Sequence, residues 1–157
     1  MSYDAAYGLV VFLFSGPENT DDDFRAYVDA IAMLKAKVEI WQAGPARLPA
    51  AMLVLDPGTP LPNARWRKEI AEVSADLRPP MLLAIVNDSS LVRGTVTAMN
   101  WLRPPPFETG IFATFADAVG WIEAERGVKL PLLESLLVEA RAYGARGERG
   151  PVGARKL

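Results

Sequence analysis

Three short apolar runs, Leu9–Phe14, Ala51–Leu55 and Met81–Val86, each precede a stretch with helical spacing of apolar residues. That alternation narrows the possible folds more than any other feature of the chain. Short runs apolar at every position are strands buried on both faces, and such strands belong to parallel sheets covered by helices. Ser15-Gly16-Pro17 closes the first run and Asp56-Pro57-Gly58 the second, both strong turn formers.

The intervening stretches carry helix signals. Thr20 can cap a helix whose first turn holds Asp21, Asp22 and Asp23, where the positive end of the helix dipole favours acids. Phe24, Tyr27, Val28, Ile31 and Leu34 then recur at helical spacing, to about Lys37. Val38–Trp41 reads either as a short edge strand or as the return path. Asn63 caps a second helix with Trp66, Ile70, Val73 and Leu77 on one face, and Asp88-Ser89-Ser90 offers caps for a third, carrying Leu91, Val92, Thr95, Val96 and Met99. Pro104-Pro105-Pro106 forms a stiff connector to a last strand at Ile111–Ala113. Thr114 and Asp117 make a capping box for a helix over Phe115–Arg126, which Gly127 closes in the left-handed conformation.

The pattern predicts one α/β domain: a mixed, mostly parallel sheet of four to five strands with covering helices, over residues 1–129. Residues 130–144 add an amphipathic helix with Leu132, Leu133, Leu136, Leu137, Ala140 and Tyr143 apolar. The helix can bury these leucines by folding back on the domain or by packing on another subunit or a partner, and the second is favoured because the α/β unit is complete without it. Residues 145–157 form a basic tail too poor in apolar residues to fold alone. From Arg141 to Leu157 the local charge is +4, which leaves −6 for the rest of the chain.

Composition removes whole classes of chemistry. The 157 residues include no histidine and no cysteine, so thiol nucleophiles, disulfides, His/Cys zinc sites and His-based acid/base catalysis are closed to the chain. A net charge of −2 argues against a nucleic-acid binder built on a basic face. Gly8–Phe14 is too short to span a bilayer and follows Asp4 rather than a basic segment, so it reads as a strand and the expected compartment is the cytoplasm.

In a parallel α/β sheet, ligands and partners meet the loops beyond the carboxyl ends of the strands. Those loops hold Ser15, Asp56, Thr59, Asn87, Asp88 and Ser89. Asp56 and Asp88 offer a carboxylate pair for acid/base work or Mg²⁺, but a turn and a cap account for them as well. Arg93-Gly94 offers an anion contact beside free backbone amides, or a solvated arginine next to a close helix contact. No glycine-rich phosphate loop is present. Trp66, Trp101, Trp121, Phe107 and Phe112 read as core, while Trp101 and Phe107, flanking the prolines, can instead line a pocket for a hydrophobic ligand.

The stretch from Leu91 to Phe107, LVRGTVTAMNWLRPPPF, with the Ile111–Thr114 strand end and Phe115–Trp121 after it, resembles the bacterial STAS/Sec14-like group, small proteins similar to anti-sigma-factor antagonists. The resemblance spans roughly residues 8–126. It implies a STAS-like regulatory module that is not an enzyme, has no catalytic residues, metal or cofactor, and docks on a protein partner such as a regulatory kinase or scaffold, or on itself. Some similar domains bind small molecules or lipids. The best-known members carry a phosphorylatable serine at the start of the helix after the Asp-ended strand. Here Asp56 matches the strand end, the cap position reads Asn63, and Thr59 is the one hydroxyl in the loop between them. With seven residues before Gly8, the family's N-terminal hairpin is expected to be cut short.

The expected function is thus regulation or assembly through protein–protein contact, using Asp56, Thr59 and Asn63 with Leu133, Leu136 and Leu137. The alternative is a Sec14-like binder of a hydrophobic molecule at Trp101 and Phe107. No specific nucleic acid and no membrane insertion are expected.

Overall fold

The computed structural model describes residues 1–16, 19–43, 48–77, 80–102 and 104–145, with the side chains of all of these but 43 and 99–102. Five strands form one sheet in the order β1-β2-β3-β4-β5. They are β1 (Ser2–Asp4), β2 (Leu9–Phe14), β3 (Ala50–Leu55), β4 (Leu82–Val86) and β5 (Glu108–Phe112). The β1–β2 pair is antiparallel and the other three pairs are parallel. The chain is therefore an α/β domain with a mostly parallel sheet.

Among the described residues five helices cover it: α1 (Asp21–Ala43), α2 (Ala64–Ala75), α3 (Ser90–Leu102), α4 (Phe115–Arg126) and α5 (Leu132–Ala145). The steps from β2 to β3, β3 to β4 and β4 to β5 all run the same way across the sheet. Right-handed crossovers then put α1, α2 and α3 on one face, leaving the other to α4 and α5. The strands divide accordingly. Leu9, Val11, Met52, Leu82 and Ala84 pack towards Ala118 and Ile122 of α4 and Leu133 and Leu136 of α5. Val10, Phe12 and Ala51 pack towards Ile31, Leu34 and Trp41 of α1. Burial on both faces is why the runs are apolar at every position.

Helix ends follow their local signals. Asn63 Oδ1 accepts from the Trp66 amide at 3.1 Å, and Thr114 Oγ1 from the Asp117 amide at 3.1 Å. Thr20 and Asp23 close a reciprocal capping box at the start of α1. Gly127 ends α4 with φ 64°.

The structure corrects three expectations. Val38–Trp41 is neither a strand nor a return path but the last turns of α1. Val38 and Trp41 prolong the stripe of Ile31 and Leu34 and are buried, so tertiary packing overrides their strand-favouring chemistry. The hairpin expected to be cut short has a first strand of three residues, Ser2–Asp4, which pairs with Leu9–Val11, and Asp4 Oδ1 takes the Tyr7 amide at 3.0 Å to hold the turn. The fifth strand begins at Glu108, three residues earlier than the apolar run suggests. Finally, the helix expected to reach for a partner lies on the sheet. Leu133, Leu136 and Ala140 are 0%, 3% and 3% exposed, and Leu137 packs against the same cluster. α5 packs over β1 and β2, on the side of the sheet that α4 also covers. The basic tail from residue 146 on lies outside the described residues.

Candidate functional site

The carboxyl ends of β2, β3 and β4 and the loops after them gather most of the polar residues singled out in the sequence. Asp56-Pro57-Gly58-Thr59 is a tight turn: the Thr59 amide donates to Asp56 O at 3.1 Å, and Gly58 sits at φ 81°. Proline then glycine at the two central positions, the second with positive φ, is the chemistry of a type II turn. The turn is tied to β2, because Phe14 O accepts from the Asp56 amide at 2.9 Å and from the Thr59 hydroxyl at 3.2 Å.

The Asp56 carboxylate faces a residue the sequence reading left out. Arg141, on the last turns of α5, donates from two nitrogens to its two oxygens, each at 2.8 Å. The side chain of Asp56 is 18% exposed and that of Arg141 48%. The paired carboxylate holds the guanidinium proton more firmly than usual, raising the arginine pKa. Fork-to-fork pairing of this kind fixes both planes, so the loop after β3 and the end of α5 are held as one piece. Exposed Ser15 lies beside this junction: a Cβ built on Gly144 would stand 3.8 Å from its hydroxyl oxygen.

Asn87 performs the same service on the other side. Its Nδ2 donates to Leu55 O at 3.0 Å, its Oδ1 accepts from the Ser89 amide at 2.9 Å, and its own amide donates to Phe112 O at 3.1 Å. At 4% exposure it is a buried tie between the ends of β3 and β5. Ser89 Oγ takes the Val92 amide as the cap of α3, and Arg93 donates to the carbonyls of Asn87 and Asp88 at 2.9 and 2.7 Å. Asp88 is exposed. Both oxygens of Asp56 accept from Arg141, so the pairing found there is with a cation and not with Asp88. Among the described residues, no three acidic side chains converge as a metal site would require.

Asn63 caps α2, and the first turns of that helix face solvent except for Trp66. Trp66 is 1% exposed, stacks on Phe24 at 5.9 Å, and donates its indole N–H to Asp21 at 2.8 Å. Leu61, Arg67 and Lys68 are exposed around it. Leu133, Leu136 and Leu137 do not join this edge as contact residues, being spent on the core.

Phe107 lines an apolar cleft between α1 and the amino ends of the strands, with Trp41, Ala51, Leu77, Met81 and Leu83 among its neighbours. The cleft lies at the opposite end of the sheet from Asp56. Its space is small, with room for about two waters. The Trp101 side chain lies outside the described residues.

No family model matches the chain, and neither a curated protein nor a solved structure does.

Proposed function

We propose that this chain is a non-enzymatic regulatory or assembly module that binds a protein partner, in the cytoplasm, through the loop after β3 and the start of α2. One observation carries the reading: Asp56, the carboxylate best placed for chemistry, is engaged at both oxygens by Arg141. The pair turns the loop into a preformed surface. Beyond it, Leu61, Arg67 and Lys68 offer an apolar contact beside positive charge. The resemblance of Leu91–Phe107 to STAS/Sec14-like proteins agrees with this use, and the β1–β2 hairpin is a further feature in its favour. On that resemblance Thr59 would be the modified hydroxyl, although it now donates to Phe14 O. No described helix is long and apolar enough to cross a membrane.

The alternative, a binder of a hydrophobic molecule, has the cleft at Phe107 in its favour. A ligand larger than a few atoms would have to displace lining side chains to enter.

The test is affinity capture from a lysate of the source cell with the wild type beside Leu61→Asp/Arg67→Glu. Both changes are on exposed side chains and leave the fold intact, which circular dichroism checks. A protein held by the wild type and lost by the variant is the expected result. A protein held equally by both removes this surface from the account.

A further inference from the structure

β5 is covered less than its neighbours in the sheet. None of its residues is buried, whereas β2, β3 and β4 are mostly buried. Its place explains the difference, because among the described residues no strand pairs beyond it. Phe112 O accepts from the Asn87 amide at 3.1 Å, on the β4 side. Backbone groups alternate in direction along a strand. Gly110 therefore also turns to β4, while Thr109 and Ile111 turn their amides and carbonyls outward. Among the described residues, none bonds to those outward groups.

Sheet edges are usually blunted, and the two edges of this sheet differ. β1 has three residues, Ser2 donates to Glu139 of α5 at 3.3 Å, and the Lys37 ammonium lies over the Tyr3 ring at 4.9 Å. β5 has none of the usual devices. It contains no lysine and no proline, and its five residues pair with Leu82–Val86 without a bulge. On its α4 face the ring of Phe112 lies over Gly110 and packs on half-covered Trp121, which makes the margin apolar.

The strand is complementary to itself. When two β5 strands run antiparallel with a two-fold axis at Gly110, Thr109 of each copy stands opposite Ile111 of the other. These are the outward-facing residues, so each such pair exchanges both of its backbone bonds. At the axis glycine faces glycine, where side chains would come closest. Glu108, the one charge of the strand, stands opposite Phe112 and away from the other Glu108, so no like charges meet. β1 offers no such match, being too short to pair with the whole of β5.

We infer that two copies of this chain pair along β5, antiparallel about Gly110, with the two Trp121 rings flanking the seam. The inference is independent of the function proposed above and leaves the loop after β3 uncovered.

Light scattering and hydrogen exchange on the purified full chain test it, with no other protein present. One strand pair with its flanking rings is a small interface, expected to hold with a Kd of about 10 μM. The particle should then weigh two chains at about 0.5 mM and mostly one at about 5 μM. The Thr109 and Ile111 amides should exchange about fivefold more slowly at the higher concentration. The Gly58 amide, in the turn after β3, should exchange alike at both. Thr109→Pro removes an outward amide and no bond to β4, so it should give single chains at both concentrations. Thr109→Val keeps that amide and should pair like the wild type. Circular dichroism checks that the proline variant folds, and the wild-type series decides alone if it does not. A mass of one chain throughout overturns the inference. So does protection of Thr109 and Ile111 that ignores concentration, as a segment of the same chain along β5 would give. Pairing that leaves these two amides fast, or a folded proline variant that pairs like the wild type, overturns it as well.

Discussion

Arg141 and Asp56, 85 residues apart in sequence, meet as a two-pronged ion pair with both contacts at 2.8 Å. The pair joins the far end of the last helix to the turn after the central strand, and it makes α5 part of the domain's candidate interaction edge. Its strength is limited by solvent, since the Arg141 side chain is 48% exposed. A double-mutant cycle with Asp56→Ala and Arg141→Ala, read by urea unfolding, should give a coupling energy of about 1 kcal/mol. A coupling of zero would reduce the pair to a surface contact.

Removing α5 is expected to cost the fold rather than only an interaction. Leu133 is fully buried in the cluster that holds Leu9 and Val11 of β2, and Leu133→Ala should destabilise by about 2–5 kcal/mol. A chain ending at residue 129 should lack a cooperative thermal transition. A sharp transition near that of the full chain would show that α5 is an accessory.

Gly110 is required by its neighbours. A Cβ there would run into the ring of Phe112 and stand 3.2 Å from Trp121, while those two rings pack with centroids 5.4 Å apart. Gly110→Ala should therefore cost about 1–3 kcal/mol, and the cost should shrink in a Phe112→Ala background. Equal costs in the two backgrounds would mean that the ring is not the obstacle.

Glu123 clips the connection between α4 and α5. Its two oxygens accept from the Lys129 ammonium at 2.6 Å and the Leu130 amide at 2.7 Å, which holds its pKa below the ordinary value of 4.5. A carboxyl with a lowered folded pKa stabilises above its unfolded value and loses that contribution as pH falls through the folded one. Glu123→Gln should therefore lower stability at about pH 6, and the gap to wild type should close towards about pH 3. A gap independent of pH would contradict the charged clip.

The sequence signals that proved legible were local ones. Leu9–Phe14 reads as a strand because it is apolar on both faces, and Thr114 with Gly127 brackets α4 because caps act within one turn. What stayed hidden depended on distance. Ser2–Asp4 has only three residues and no periodicity, so its pairing with Leu9–Val11 leaves no trace in either segment. The stripe of Leu133, Leu136 and Ala140 says that α5 buries a face but not against what, and the assumption that four helices suffice sent it outward. Asp56, Asn87 and Ser89 could be placed at the strand ends from the α/β pattern alone. Arg141 could not, because nothing near it in sequence marks a partner so far away.

The central claim is that the loop after β3 and the start of α2 form a protein-binding surface. Hydrogen exchange of the full chain, free and bound to the protein that it captures, tests this most directly. Binding should slow exchange in residues 57–67 and leave the outer face of α5 around Val138 unchanged. Slowing confined to α5 or to the β5 margin, with 57–67 exchanging as in the free chain, would contradict the account.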